Sequence, residues 1–486
     1  MKKGKKKLKI AYDRQNISLT ELNLFPFDDY AFPFQTGVRL KMHSYPSHLD
    51  YRPPIAVPLG EPGKADSGNI AYYGTVRKVG EEYWMWYLGS DDSPGWYQRL
   101  CLAVSKDGKI WEKPDLGVCE YKGNTHNNLC DFPLDGHIQA CVVFYDPDDP
   151  DEDRRFKMNF ESPKYQKYMC VAFSPDGIHW KEYEHNPVGD VFFEQSGGMK
   201  REGVYYVTGQ GDTGHYSPKG SRTLSTYCSR DFIHWTPASC QGFTRESLPP
   251  KPTYYGGVNG SQVHLGAGLW DRGNVIIGFY GMWEGHPSND RNLTCMNLGM
   301  VISHDGLHYY EPVPNFPIIL GSEMKNDSRA AGHFPALMQG QGAENIGNET
   351  IVWFGLWPEA DSDGVRAAIW GRDRFGHMES YVGPDKESFI VSDRIWLEGK
   401  SAKVRLNIGG ISDYSKVSVS VLDEDFNPIS GYSKEECCEI MENGFAVPVC
   451  WQRKMNVYQE RPIRIRVDFE GIRPEDVRLY GVYLEE

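Results

Sequence analysis

Ser105-Lys-Asp-Gly-Lys-Ile-Trp111 returns as Ser174-Pro-Asp-Gly-Ile-His-Trp180, Ser229-Arg-Asp-Phe-Ile-His-Trp235 and Ser303-His-Asp-Gly-Leu-His-Tyr309, with a decayed fifth copy at Gly371-Arg-Asp-Arg-Phe-Gly-His377. The aspartates (Asp107, Asp176, Asp231, Asp305 and Asp373) lie 69, 55, 74 and 68 residues apart. Asp-Gly supplies the positive φ of a tight turn, and Ser and Asp side chains bond nearby amides. Each copy therefore reads as a hairpin tip, its aspartate a turn residue and not a catalyst. A repeat of this length with strands between its copies predicts the blades of a propeller.

The segments between the tips support that reading. Each copy follows three short runs rich in Val, Ile, Tyr, Phe and Trp, the composition of strands. The first runs are 70–77, 138–146, 192–200, 261–271 and 333–339. No long 3.6-residue periodicity interrupts them. From about Ile395 the tips stop and five alternating runs follow, which suits a small β-sandwich. The expected fold is all-β: a five-bladed β-propeller over 65–389, a C-terminal β-sandwich over 390–486, and an N-terminal arm over 1–64 that closes or wraps the ring.

The 486 residues carry a formal net charge of −14, and six of the lysines fall in the first nine positions. The rest of the chain is acidic, which argues against nucleic acid and anionic membrane as partners. No run reaches the roughly 18 apolar residues of a membrane helix. Ile10-Ala11-Tyr12-Asp13 stands where the apolar part of a leader would be. The expectation is a cytoplasmic protein, or a secreted one whose leader lies outside this sequence. Eleven cysteines show no zinc spacing, so reduced thiols and no metal centre are expected. No cofactor is required. The acidic run Asp146–Asp153 has the composition of a Ca²⁺ loop but is read as a solvated hairpin.

Two stretches resemble known enzymes. The C-terminal segments Arg405-Leu-Asn-Ile, Val421–Ser433, Val449-Cys-Trp451 and Arg461–Arg466, with Phe144–Pro150 and Arg154–Met158, resemble five-bladed propeller glycoside hydrolases of families 43 and 32. The resemblance implies carbohydrate chemistry. The family 32 nucleophile motif and Arg-Asp-Pro are absent, and the one Glu-Cys, Glu436-Cys437, lies in the expected sandwich.

Glycoside hydrolysis needs two carboxyl groups flanking the scissile bond. The first strand of each blade lines the axis, so acids where those strands begin converge on one mouth. By analogy with family 43, Asp66 is expected as base, Asp135 as the group tuning the acid, and Glu194 as the acid. Amides, imidazoles, an arginine and an aromatic at the same level supply sugar contacts: His137, Gln139, Gln195, Gln262, His264, Trp283, Arg329 and His333. Asp50, Glu284, Glu323 and Asp327 compete as acids. The function expected is a glycoside hydrolase acting on an oligosaccharide or polysaccharide. The alternatives are a non-catalytic glycan-binding propeller and a glycoside phosphorylase, for which Arg329 is the phosphate candidate. The oligomeric state is left open.

Overall fold

The computed structural model describes residues 9–10, 20–45, 53–93, 97–132, 137–211, 222–245, 260–285, 295–321, 337–357, 363–452 and 456–486. The chain is all-β. Five antiparallel sheets among the described residues follow one another in sequence. Their first strands are Asn69–Val79, Gln139–Tyr145, Glu194–Arg201, Gly260–Asp271 and Leu337–Ile346, and each pairs with the strand that follows it. These first strands touch in cyclic order, the last returning to the first, through a single parallel bridge between Gln341 and Thr75. This is propeller architecture. The fourth strand of the last sheet is Ile55–Pro58, from the N-terminal arm, antiparallel to Gly364–Gly371.

The four intact repeats are the expected turns. In the first, Ser105 Oγ accepts the Gly108 amide at 2.9 Å, and Asp107 Oδ1 accepts the amides of Lys109 and Ile110, both at 2.9 Å. The same bonds recur around Asp176, Asp231 and Asp305. The aromatic that closes the motif packs back: Trp111 and Trp180 donate to the Gly108 and Gly177 carbonyls. These carbonyls also receive a tryptophan from the preceding blade, Trp353 on Gly108 and Trp86 on Gly177. The turn is therefore a wedge between blades as well as a hairpin tip. In the third copy Phe232 takes the glycine position, with φ +68°, and its ring meets Phe144 of the preceding blade at 5.1 Å.

The fifth copy departs from the expectation of a hairpin tip. Asp373 is buried and faces inward. Its carboxylate pairs with Arg272 and accepts from Asn345 at 2.9 Å and Tyr483 at 2.8 Å. Tyr483 lies on the last strand of the sandwich. With no serine two residues ahead to hold a turn, the aspartate instead joins the fourth and fifth blades to the second domain.

That domain packs two sheets around an apolar core of Val404, Leu406, Val419, Val421, Trp451, Ile465, Val467 and Leu484, among others. Gly444–Val449, Ser401–Gly409, Arg478–Glu485, Gly376–Ser380 and Val38–Met42 form one sheet, with Glu21–Leu24 also on Arg478–Glu485. Ser415–Leu422, Arg464–Gly471, Phe389–Val391 and Phe34–Thr36 form the other. Among the described residues the arm is thus shared: three of its strands enter the sandwich, one enters the propeller, and Lys9–Ile10 pairs with Ile395–Trp396. Residues 376–391 pair with the sandwich also.

At the axis the first strands come close enough to exclude side chains. A Cβ on Gly197 would stand 2.2 Å from the Ala267 carbonyl oxygen, and one on Gly268 2.2 Å from that of Gly340. Both obstacles are backbone, so neither can move aside cheaply. Gly268→Ala is expected to lower stability by about 1–3 kcal/mol through overpacking, read as a lower urea midpoint; an unchanged midpoint would show that the ring is loose there. Arg272→Met leaves the Asp373 carboxylate buried without its counter-charge. It is expected to cost about 3–5 kcal/mol in the same assay.

Candidate functional site

The first strands run the same way around the axis, so their N-terminal ends share one mouth. Every one is irregular near that end. The register to the second strand breaks at Ala71/Thr75, opposite Phe160/Glu161, at Gln195/Gly197, at His264/Ala267 and at Gln339/Ala343. Ala140 and Leu265 hold positive φ, +53° and +56°, beside Gln139 and His264. Bulges of this kind turn side chains out of the alternation, and left-handed non-glycine residues persist only where the surroundings enforce them.

Glu194 begins the third blade and is half-buried. The Gln210 amide donates to its Oε2, and Gln210 is itself oriented because its Oε1 accepts the Leu265 amide at 2.9 Å. Glu161 ends the second strand of the second blade, opposite Gln139. It is 2% exposed, and its Oε2 has no hydrogen-bond partner among the described residues. Burial holds its carboxyl well above the usual range; the neighbouring Glu194 charge raises it further, and Lys167 partly opposes this. Two carboxyl groups from adjacent blades therefore interact at the mouth, and burial and the Glu194 charge both disfavour the charged form of Glu161.

Other polar side chains of the blades are buried as well. The side-chain atoms of Asn69, Asn159 and Gln195 are buried without hydrogen-bond partners among the described residues, as are Ser196 Oγ, Gln139 Oε1, Gln339 Oε1 and His137 Nδ1. Buried polar atoms are nearly always paired, so these atoms are open to a hydrogen-bonding ligand or bound water. His137 Nε2 lies 3.3 Å from the Gln139 amide nitrogen. Burial, then Lys167, lowers the His137 pKa.

One wall is aromatic. His264 stacks on Trp283 with ring centres 5.6 Å apart, and Trp357 meets both rings edge-on. Trp357 Nε1 donates to Tyr73 Oη at 2.7 Å. Trp283 is fully buried and backs the wall, with the Arg222 guanidinium over its ring at 4.6 Å. Half-buried Trp357 and Tyr73 are the rings nearer the surface. Gln262 is buried, and its Oε1 faces the Arg222 amide at 3.4 Å.

Of the expected acids, Asp66 goes elsewhere. It is 1% exposed and holds the Lys113 ammonium at 2.6 Å and the Tyr87 hydroxyl at 2.7 Å. It borders a cavity of about 370 Å³ lined by Gly60, Lys64, Trp111 and Asn128, apart from Glu194. Glu284 is engaged by Arg245 and Ser261. Asp135, Arg329 and His333 lie outside the described residues, as do Asp50, Glu323 and Asp327. Asp146 and Asp149 of the acidic run are held by Lys157, with Lys200 also on Asp146.

Glu161, Asn159, Gln210 and Trp357 escape a search confined to where first strands begin, and Asn69 and Gln339 are passed over in it. Lys157-Met-Asn159-Phe-Glu161 carried a signal. It reads as an alternating strand, yet every residue in it is buried. A polar residue at each second position of such a strand needs a partner. Lys157 finds Asp146 and Asp149; among the described residues Asn159 and Glu161 Oε2 find none.

The opposite mouth of the axis opens on a cavity of about 620 Å³, lined by Arg77, Lys200, Asp271, Arg272 and Glu344, with Glu21 and Asn23 from the arm. None of the expected site residues borders it.

No protein-family profile matches the chain, and no curated protein matches it significantly. Solved structures do. A putative glycoside hydrolase from Bacteroides ovatus is 13% identical with a TM-score of 0.44, covering 67% of this chain and 94% of its own. A structure described under mannoside phosphorylases of family GH130, which include hydrolases of β-1,2-mannosidic linkages in Candida mannan, is 13% identical with a TM-score of 0.43, covering 71% and 96%. A family 32 β-fructofuranosidase from Bombyx mori is 13% identical with a TM-score of 0.40, covering 88% and 93%. Identity this low leaves the chemistry to be argued from the residues of this chain.

Proposed function

We propose that the protein hydrolyses glycosidic bonds of an oligosaccharide or polysaccharide at the N-terminal mouth of the propeller. Glu161 is the proton donor and Glu194 the partner carboxylate. The observation that carries this reading is Glu161: a buried carboxyl with an oxygen unpartnered among the described residues, its pKa raised by burial and by a second carboxyl. Cleavage of an acetal needs an acid that retains its proton near neutral pH and a carboxylate that does not. The unpartnered amides of Asn69, Asn159 and Gln195 suit a neutral ligand rich in hydroxyl groups, each of which both donates and accepts. Trp357 and Tyr73 offer apolar faces to sugar C–H groups. Glu194 activates water or attacks the anomeric carbon itself, with the Gln210 amide fixing its orientation. Glu161 protonates the leaving oxygen.

A second reading, phosphorolysis, is favoured by Lys167. It is half-buried, makes no ion pair among the described residues, and its charge reaches both Glu161 and His137. Inorganic phosphate would then replace water as the nucleophile.

Turnover of a panel of aryl glycosides and reducing oligosaccharides, with and without phosphate, tests both. Glu161→Gln and Glu194→Gln are each expected to lower kcat by about 10²–10⁴-fold. Glycan binding without turnover in the wild type would favour the binding-module alternative. An active enzyme indifferent to Glu161→Gln would remove the assignment.

The pH dependence follows from the sign of the shift. Activity should fall as pH rises through the raised pKa of Glu161, because the acid loses its proton. Stability should fall in the same direction. Above the ordinary glutamate range the folded state still holds a proton that the unfolded chain has released. Glu161→Gln should flatten that part of the stability–pH curve, measured by urea unfolding at several pH values.

Asp66→Asn separates the two kinds of buried acid. It weakens charge-assisted bonds to Lys113 and Tyr87, with an expected loss of about 1.5–3 kcal/mol. It should leave the pH profile of kcat unmoved; a displaced profile would return Asp66 to the reaction.

A further inference from the structure

Three cysteines of the sandwich lie close together. Cys437 stands opposite Trp451 in an isolated antiparallel bridge. One step along, the Cys438 amide donates to the Cys450 carbonyl at 2.8 Å, which sets Cys438 directly across from Cys450. Opposed residues of a hydrogen-bonded antiparallel pair have Cα atoms about 5.5 Å apart, inside the window of about 4.4–6.8 Å that a disulfide spans. The neighbouring Cys438 thiol is the leading reason why the Cys450 thiol is raised to about 11. Both residues are half-buried. Cys437 is occupied differently: its sulfur accepts the Val419 amide at 3.4 Å and lies 3.5 Å from the Cys438 carbonyl. All eleven cysteines are free, and Cys101, Cys130, Cys141 and Cys170 are shut in the propeller core.

We propose that Cys438 and Cys450 form a dithiol site that a small-molecule disulfide converts to an intrachain cross-link. One protein thiolate attacks a sulfur of the small disulfide. A mixed disulfide forms and one small thiolate leaves. The second protein thiolate then attacks the protein sulfur of that mixed bond, closing Cys438–Cys450 and expelling the second small thiolate. The two protons of the protein thiols end on the two small thiols. Two electrons pass from the protein to the small disulfide. The reaction quickens as pH rises, because the thiolate is the nucleophile. The bond ties the segment after Ser433 to the end of the Gly444–Val449 strand, next to Trp451, whose Nε1 donates to the Val419 carbonyl at 2.8 Å.

The test uses the full chain in its native state, treated with oxidised glutathione, alkylated, digested without reductant and mapped by mass spectrometry. The expected result is an intact mass lower by two hydrogens and a single cross-linked peptide pair containing Cys438 and Cys450. A thermal midpoint raised by about 2–4 °C should accompany it. Cys438→Ser and Cys450→Ser should each abolish the cross-link and leave a glutathione adduct on the remaining thiol. Cys437→Ser should retain it. Wild-type protein that yields only adducts, only free thiols, or a bond through Cys437 overturns the proposal, and this readout does not depend on any variant folding.

Discussion

Five strands converge on one axis, too splayed by the fanning of their sheets to pair with one another along their lengths. Side chains do the joining. Thr75 Oγ1 donates to the Cys141 carbonyl and accepts the Val143 amide, both at 2.9 Å. Arg77 reaches past its neighbour, to the Val143 carbonyl at 2.9 Å and the Gly198 carbonyl at 3.0 Å. Gln341 Oε1 accepts the amides of Gly198 and Leu269, both at 2.8 Å. Two strands thereby hold three others. The stitching works only because glycines let the backbones approach, and the bulges near the N-terminal mouth follow from it. A strand pinned to its neighbours at mid-length and to its own sheet further out must change register somewhere between.

That change of register is where polar side chains gather. In a regular ladder the alternation would send half of them into the interfaces between blades. The breaks beside Glu161, Gln195, His264 and Gln339 free the N-terminal ends to face the mouth instead. Burial treats the two acids differently. The loss of hydration that raises the Glu161 carboxyl is offset at Asp66 by Lys113 and Tyr87, while Glu161 Oε2 meets no such partner among the described residues.

The hairpin tips were legible because their bonds are local: a serine, an aspartate two residues on and a glycine after it contain the whole turn. Strand content and the change of character near Ile395 were legible from composition and alternation. Asp373 was not, since its letters match the motif while its partners, Arg272 and Tyr483, sit far away in sequence. Glu194 stood out as a candidate because a first strand begins there. Glu161 was hidden because its direction depends on a bulge set by contacts between blades, which no local pattern encodes. The cross-strand relation of Cys438 to Cys450 was hidden in the same way, behind the more visible adjacency of Cys437 and Cys438.

The strand Ile55–Pro58 completes a sheet whose other three strands are among the last of the propeller to leave the ribosome. During synthesis it must wait, unpaired, until Gly364–Gly371 exists, and its neighbours Glu21–Leu24 and Val38–Met42 wait longer, for strands beyond residue 375. Contacts so distant along the chain are slow to form, because a long loop has to close before any of them stabilises the fold. A nascent chain therefore spends its longest interval with an apolar amino-terminal segment exposed. Cutting between the two domains would not yield two independent pieces: the amino-terminal segment belongs to both, and a carboxy-terminal truncation would strip it of most of its partners.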